Sequence, residues 1–357
     1  MIEPFEGYLV AEDIASRVVA KPFDQLGRVE RHALARADEL SFLNVIDHPS
    51  GDVRQGARHL EGMIDSGVFA HQPTAYYAYQ VTHLGHSAIG LVGAMPVSAF
   101  SENRVRGHEA VNEHDVEALR SFFDIAGAQS SPIALTCAEP FSLESILDLD
   151  RPPTLSIATD GYRASVWAID SESGMTRIEE MSARCGIMYI TDGHHRAAAL
   201  SRRDSRALVM LVSPHELSVL PFQRIVRNGA PLWDRIGHML ATETSERSGP
   251  AVVQRGRRRE LSLPDGGSVL IDSLDVVRLH RDVLEPLGIA PDDDRLEYVA
   301  IPAQEIEQHM GPDDLGFTLA PVPVGTVLAA ADAGLLMPPK TTYFAPKAGS
   351  GVFVMRG

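Results

Sequence analysis

Five consecutive residues, Asp192 to Arg196 (DGHHR), have the types and spacing that could bind phosphate and assist its transfer. They follow a short apolar run typical of a buried strand and precede Ala197–Leu200, which favours a helix. A helix N-terminus presents unpaired N–H groups, and Gly193 would let the backbone approach an oxyanion closely. Because a helix end supplies only about half an elementary charge, a di- or triphosphate would also need Arg196, the two imidazoles and Mg²⁺. The alternative is that Asp192 caps the helix and the following side chains form a solvated first turn.

A second cluster, Arg106-Gly107-His108-Glu109, lies just before a predicted helix capped by Asn112. A carboxylate in this position could accept the proton of a substrate hydroxyl, as phosphoryl transfer to an alcohol requires. An HExxH zinc site is excluded because His108 and His114 are six residues apart rather than four. The alternative is a polar loop that leads into a capped helix.

A third cluster lies near the end of the chain, in MPPKTTYFAPK, and its polar members are Lys340, Thr341, Tyr343 and Lys347. Two lysines on a proline-stiffened segment could contact phosphate or carboxylate groups as point charges, and the hydroxyls could donate hydrogen bonds. The alternative is a charged edge strand protected against aggregation. The early segment Ala20–Asp24 allows the same two interpretations. Neither GxGxxG nor GxxxxGK[ST] occurs at a suitable place, so standard dinucleotide and P-loop sites are not indicated.

Composition excludes several classes of protein. The chain has 357 residues, with 32 basic and 48 acidic side chains and a net charge of −16, which disfavours nucleic-acid binding. Cys137 and Cys185 form no CxxC pair, and no apolar run is long enough to span a bilayer. The N-terminus lacks the features of a signal peptide. We therefore expect a cytoplasmic protein that binds neither nucleic acid nor membrane, with a homodimer left open.

The hydrophobic patterns predict an α/β fold with a mixed sheet. A strand, tight turn, helix and strand surround the DGHHR turn, and two hairpins precede it, the second one turning at Asp160-Gly161. FLNVI (42–46) is predicted as a strand, LWDRIGHMLA (232–241) as a helix, and PDGG (264–267) as a hairpin turn. The final segment is predicted to lie at a sheet edge or to line a cleft. The predicted domains are an α/β body at 1–235, a smaller α+β subdomain at 236–330 and a strand segment at 331–357.

Several of these segments together resemble the landmarks of the DUF1015 family. In chain order they are VVAKPFDQL, LSFLNVIDHP, RGHEAV, YITDGHHRAAA, LPFQRIV and MPPKTTYFAPKAGSG. The resemblance implies a ParB/sulfiredoxin-like core that binds a nucleotide or pyrophosphate. Characterised relatives are free serine kinases that use pyrophosphate, ADP or ATP, so it also implies phosphorylation of L-serine to O-phosphoserine. The first landmark departs from the family pattern of two prolines and a tyrosine, since Lys21, Pro22 and Phe23 stand there.

The resemblance also implies roles for individual residues. In this scheme Glu109 is the general base and Asp192 is its competitor, and Asp192 also holds Mg²⁺. His195 and Arg196 stabilise the transferred phosphoryl group. The donor phosphates contact Gly193, His194, His195, Arg196 and Lys340, and the substrate contacts His108, Lys340, Thr341, Tyr343 and Lys347.

Two other functions remain open at this level. The same turn could bind CTP or ATP in a ParB-like switch that rearranges to engage a partner without kinase turnover. The protein could also phosphorylate a hydroxyl compound other than serine.

Overall fold

The computed structural model describes residues 1–22, 28–148, 151–201, 205–243, 250–264, 266–267 and 269–357. The chain forms two compact units. The first consists of Met1–Gly107, Val111–Ser218 and Ala345–Gly357, and the second of His108–Ala110 and Val219–Phe344. These limits differ from the predicted boundaries after residues 235 and 330. Phe23 and Asp24 of the early landmark lie outside the described residues.

The described strands in chain order are β1 (Phe5–Val10), β2 (Phe69–His83), β3 (His86–Pro96), β4 (Val105–Arg106), β5 (Ala128–Gln129), β6 (Ile133–Cys137), β7 (Leu155–Thr159), β8 (Tyr162–Ile169), β9 (Met188–Asp192), β10 (Arg206–Val212), β11 (Ser218–Val226), β12 (Leu240–Glu243), β13 (Ala251–Gln254), β14 (Arg257–Leu261), β15 (Leu296–Ala300), β16 (Leu315–Thr318), β17 (Thr342–Ala345) and β18 (Phe353–Arg356).

The described α-helices are α1 (Ala15–Val18), α2 (Arg28–Ala37), α3 (Leu43–Ile46), α4 (Val53–Asp65), α5 (Ser98–Ser101), α6 (Glu113–Ala126), α7 (Glu172–Arg184), α8 (His194–Leu200), α9 (Asp275–Leu279) and α10 (Val324–Asp332). Within the described parts of the chain, no helix is both long enough and apolar enough to cross a membrane.

An eleven-stranded mixed sheet forms the first unit, with the main order β4-β9-β6-β10-β3-β2-β1-β18-β5. Strand β8 pairs with β2 and with β7, which adds a branch to this sheet. The predicted α/β class with a mixed sheet is thus confirmed. Strand β9, which leads into the DGHHR turn, pairs antiparallel with β6, and Leu135 lies opposite Ile190. The sheet therefore fixes the backbone on which the turn begins.

Apolar side chains explain the central position of β2 and β3. Tyr76, Tyr77, Ala78 and Tyr79 are at most 1% exposed, and Tyr77 and Tyr79 pack their rings against Phe353 of β18. A strand buried on both faces reads as a continuous apolar run, which agrees with this stretch of sequence. The last strand of the chain is therefore part of the core of the first unit.

A seven-stranded sheet forms the second unit, with the order β12-β14-β13-β16-β11-β15 and with β17 paired to β11. Its apolar cluster contains Ile225, Val253, Val299, Ile301 and Ile306. Because β11 pairs with β15 and β16, it belongs to this sheet, which explains why the division falls near Val219.

Many predicted elements agree with the structure. Both early hairpins form, as β2–β3 and β7–β8, and α6 begins after Asn112, whose side chain accepts a hydrogen bond from the His114 N–H at 2.8 Å. The strand, turn, helix and strand around the DGHHR turn also form, as β9, α8 and β10. These elements carry the clearest periodic patterns in the sequence.

Four local predictions are wrong. Leu43–Ile46 is helical, because a run of a few apolar residues fits a buried helix turn as well as a strand. The predicted helix at 232–241 is largely 3₁₀. The hairpin β13–β14 turns at Arg255-Gly256 rather than at PDGG, and both residues have positive φ, as a type I′ turn requires. In the final segment the predicted edge position is wrong for β18, which lies between β1 and β5, whereas β17 pairs with β11 off the main strand order.

Gly351 allows a test of how the end of the chain enters the core. It has φ of 83°, and a Cβ there would lie 2.5 Å from the buried ring of Phe42, whereas Gly67 has φ of 79° and open space. Gly67→Ala should cost about 1 kcal/mol of unfolding free energy from its backbone conformation. Gly351→Ala should cost a further 1–3 kcal/mol or so from overpacking. Urea unfolding of both variants measures the difference, and equal losses would contradict the packing assigned to Gly351.

Candidate functional site

The DGHHR turn of the first unit is centred on the carboxylate of Asp192. One oxygen accepts a hydrogen bond from Arg196 Nη2 at 2.7 Å, and the other lies 2.7 Å from Lys347 Nζ. Arg196 Nη2 also donates to the carbonyl of Pro132 at 3.2 Å. All three charged side chains are only partly exposed, at 27% for Asp192, 25% for Arg196 and 13% for Lys347. Two cations therefore meet at one carboxylate, and we call these three residues the Asp192 cluster.

Gly193 lets Arg196 fold back onto the turn. Its φ is 92°, and a Cβ would lie 2.8 Å from the Arg196 Nη2 and 2.9 Å from its Nε. Any other residue would be strained in the backbone and would also push the guanidinium away. The glycine is thus required by the position of Arg196 as well as by the turn.

The charge balance of the cluster is reflected in the carboxylate. Burial alone would raise the pKa of Asp192, but the charges of Lys347 and Arg196 outweigh it and hold that pKa well below its usual range. Asp192 is therefore ionised at neutral pH and accepts a proton poorly.

Two buried polar atoms beside Asp192 have no hydrogen-bond partner in the structure as described, namely Thr191 Oγ1 and Arg196 Nε. Thr191 is 7% exposed. An unsatisfied buried polar group costs free energy, which a ligand with acceptor oxygens could recover at the Arg196 Nε.

The two histidines of the turn contact different groups. His194 is buried, and its ring packs over Gly107, where a Cβ would lie 3.1 Å from the ring. His195 Nε2 accepts the backbone N–H of Asn112 at 3.0 Å, just before α6. That bond requires an unprotonated Nε2, so the imidazole is neutral while the bond is made and only Nδ1 carries hydrogen. His195 can thus donate one hydrogen bond to a ligand but brings no charge.

The segment that carries Lys347 is tied to the rest of the first unit. Ser350 forms two backbone hydrogen bonds with Ala20, at 3.1 and 2.9 Å, and its hydroxyl accepts from Ser131 at 2.7 Å. Lys21, next to Ala20, donates to the carbonyl of Asp160 at 3.3 Å. The early and the final landmarks of the sequence therefore meet in one place.

The remaining predicted residues lie in the second unit. His108 is 1% exposed, its Nε2 lies 3.3 Å from Thr342 Oγ1, and its carbonyl accepts the Met337 N–H at 2.7 Å. Glu109 is half-buried and forms an isolated parallel bridge with Met337. His108 and Glu109 of the second cluster therefore meet Met337 and Thr342 near the third cluster in this unit.

Lys340 lies at a turn with φ of 59°, and its Nζ sits 5.1 Å from the centre of the Phe222 ring. The Arg224 guanidinium, which is fully buried, donates to the Lys340 carbonyl at 2.9 Å and so holds this turn. Thr341 is buried, and its hydroxyl donates a hydrogen bond to the Pro338 carbonyl at 2.6 Å. Thr341 thus has a structural partner already, and Lys340 is the residue of this turn that offers a charge.

The family of the chain follows from a comparison with known families. Residues 2–276 match the model of a family described as a protein of unknown function, DUF1015. The chain belongs to the DUF1015 family. In this member the matched region contains Glu109 and the whole DGHHR turn, whereas Lys340 and Lys347 lie beyond it.

Solved structures similar to this DUF1015 protein are distant from it. C-terminally truncated SbnI from Staphylococcus aureus is 15% identical, with 74% of this chain and 87% of that chain covered and a TM-score of 0.43. A free serine kinase in complex with AMP is 15% identical, with 71% and 87% covered and a TM-score of 0.40. A conserved hypothetical protein from Pyrococcus furiosus is 14% identical, with 74% and 95% covered and a TM-score of 0.38. No curated protein matches the chain.

Mg²⁺ does not fit the residues of the turn as they stand. Both oxygens of Asp192 are taken by cations, and no group of three or more His, Cys, Asp or Glu residues in the described ranges could hold a metal ion. A divalent ion at Asp192 would also lie beside two positive charges. Asp192 as a metal ligand stays a prediction, and no step below depends on it.

The sequence patterns did not predict the uncharged groups that contact Arg196 or the Lys347 segment. These groups are Pro132, Ser131, Ser350, Tyr79 and Tyr162. One signal for the lysines was available: only three of the 32 basic residues are lysines, and all three lie in the first and last landmarks. Since arginine serves elsewhere in this chain, a compact ammonium group is favoured at those three positions.

The cluster predicts a specific dependence of stability on pH. Because folding lowers the pKa of Asp192, its ion pairs stabilise the protein fully above the unfolded pKa of about 3.9, and this stabilisation declines gradually as the pH falls from there toward the lower folded pKa. Asp192→Asn should cost about 1–3 kcal/mol of unfolding free energy at pH 7. The loss should shrink as the pH falls below about 4. Urea unfolding at several pH values measures it, with the exposed Asp65→Asn as control, and a loss that is the same at pH 2.5 as at pH 7 would contradict these ion pairs.

Proposed function

We propose that this DUF1015 protein is a phosphotransferase that moves a phosphoryl group from ATP, ADP or pyrophosphate to the hydroxyl of a free amino acid. L-serine is the first candidate, and O-phospho-L-serine its product. The observation that carries the proposal is the Asp192 cluster, in which Arg196 and Lys347 share a single carboxylate. The family resemblance of the DGHHR turn supports the same function, and the ParB/sulfiredoxin-like character of the core is part of this proposal.

The cluster is suited to anions because two cationic side chains, Arg196 and Lys347, meet at it. Arg196 offers a planar fork that can bind two phosphate oxygens, and its Nε has no partner in the described structure. Lys347 adds a compact charge on the opposite oxygen of Asp192. A bound phosphate would pair with both cations, and His195 Nδ1 could donate one further hydrogen bond. Gly193 lets the Arg196 guanidinium lie over the backbone of the same turn.

The transfer requires one bond to form and one to break. The serine hydroxyl oxygen forms a bond to the transferred phosphorus while the bond to the donor's leaving oxygen breaks, with the three atoms in line. Arg196 and Lys347 would offset the charge on the phosphoryl oxygens. The hydroxyl proton passes to a general base, for which Glu109 is proposed, because the lowered pKa of Asp192 makes that carboxylate a weak base.

Lys340 is proposed as a further contact to a phosphate or to the substrate carboxylate. Its half-buried side chain lies over an aromatic ring, and no carboxylate pairs with it among the contacts described. His108, Thr341 and Tyr343, which were expected to bind substrate, are buried and are proposed to shape the second unit around this turn.

A nucleotide-dependent switch is the second candidate, and one observation favours it. His195 links the DGHHR turn directly to the start of α6 through the Asn112 N–H. Binding of CTP or ATP at the turn could therefore alter α6 without any transfer. Such a protein would bind nucleotide saturably and form no phosphoserine.

Arg196 provides the test of the donor site. Arg196→Ala removes a charge-assisted, bidentate contact and no core volume, so pyrophosphate affinity should fall about tenfold or more while the fold is kept. Arg196→Lys should restore little of it, because a point charge cannot reproduce the fork. Calorimetric titration with pyrophosphate, ADP and ATP measures the affinities, and circular dichroism checks the fold. Unchanged donor affinity in Arg196→Ala would show that the turn does not bind the donor and only begins α8.

Two amide variants, Glu109→Gln and Asp192→Asn, test whether Glu109 or Asp192 is the general base. Glu109→Gln keeps size and hydrogen bonding but cannot take the proton, so kcat for phosphoserine formation should fall by about 10²- to 10⁴-fold. Donor affinity should change little. Asp192→Asn should alter donor affinity together with turnover, because it releases both cations. If Glu109→Gln is nearly as active as wild type and Asp192→Asn loses turnover at saturating donor, Asp192 is the base.

A further inference from the structure

Two buried tyrosines contact the segment that carries Lys347. The hydroxyls of Tyr79 on β2 and Tyr162 on β8 form a short hydrogen bond with each other. The backbone N–H of Gly349 donates to both, at 2.9 Å to Tyr162 and 3.3 Å to Tyr79. Gly349 is two residues from Lys347, whose Nζ lies 2.7 Å from Asp192.

The tyrosine pair is rigid and remains neutral. Tyr79 is 0% and Tyr162 1% exposed, and their rings pack against Phe353 and His83. Burial raises the pKa of Tyr162 to about 12, so its phenol keeps its proton at any ordinary pH. A neutral phenol both donates and accepts, which lets the pair bond to each other and also receive the Gly349 N–H.

The fit around Gly349 leaves no room for the segment to shift toward the sheet. A Cβ at this position would lie 2.6 Å from the Tyr162 hydroxyl and 3.1 Å from a Val19 methyl. The bare backbone of Gly349 therefore rests directly on the tyrosine pair. On its other side the segment is fixed by the Ala20 hydrogen bonds of Ser350.

We propose that Tyr79 and Tyr162 are positioning residues for Lys347, which they hold against Asp192 by fixing the Gly349 amide. That this also tunes the binding of a phosphate donor rests on the proposed function. The pair lies in the core and is separated from the Asp192 cluster by the Lys347 segment, so it acts on the site through that segment. Its hydroxyl groups matter to the site, whereas the rings alone would serve the core.

The three lysines of the chain make a direct test possible, because acetylation by a water-soluble ester can be followed at each amine by mass spectrometry. In the wild type Lys347 should react slowly relative to the exposed Lys21. Tyr162→Phe removes the better acceptor of the Gly349 N–H, so the relative rate at Lys347 should rise about fivefold, as expected for the loss of one hydrogen bond.

Tyr76→Phe is the matched control. It removes another buried phenol, whose hydroxyl donates to the Ile2 carbonyl at 3.0 Å rather than bonding to the Lys347 segment. It should leave the relative rate at Lys347 unchanged. Equal rates at Lys347 in Tyr162→Phe and Tyr76→Phe would overturn the proposal. Should Tyr162→Phe fail to fold, Tyr79→Phe, which removes the longer of the two bonds, is judged by the same comparison.

A double-mutant cycle then tests the link to donor binding. Tyr162→Phe should weaken pyrophosphate binding in the wild type but much less in Lys347→Met, because a positioning residue acts only through the group that it positions. Equal weakening in both backgrounds would show that the tyrosine does not act through Lys347. If the wild type binds none of pyrophosphate, ADP and ATP, the proposed function fails, and the acetylation rates still decide whether the tyrosines hold Lys347.

Discussion

The site of the first unit depends on the pairing of the Asp192 carboxylate with Arg196 and Lys347. Asp192 ends a strand, Arg196 lies on the next helix, and Lys347 comes from the last segment of the chain. Their charges therefore join two distant parts of the sequence, the DGHHR turn and the Lys347 segment. Bringing charges out of water is costly, so a partly buried cluster of this kind is weak evidence of a role in stability.

Neutral groups keep these charges in place. Gly193 leaves room for the guanidinium, the Pro132 carbonyl accepts from it, and the tyrosine pair holds the backbone next to Lys347. His195 is tied to the Asn112 N–H and is neutral while that bond lasts. The cationic groups at Asp192 are thus one arginine and one lysine, and the histidines contribute shape and a single hydrogen bond.

Local patterns in the sequence predicted the elements but not the contacts between them. The β2–β3 hairpin, α6 and the DGHHR turn follow from periodicity, capping and glycine. The pairing of Asp192 with Lys347 could not be predicted, because it depends on strand β18 inserting between β1 and β5. FLNVI (42–46) was misassigned because a few apolar residues fit either kind of element. The contacts of the tyrosine hydroxyls could not be predicted, because a buried run of aromatic residues indicates only that the segment lies in the core.

Phosphorus NMR of the wild-type protein tests directly whether the protein phosphorylates L-serine. L-serine is incubated with pyrophosphate, ADP or ATP, each with and without Mg²⁺, and the same donors are incubated without serine. A serine kinase should give a phosphomonoester resonance of O-phosphoserine that grows catalytically with at least one donor and only when serine is present. Saturable donor binding at the Asp192 cluster without any serine-dependent product would contradict the kinase and favour the switch.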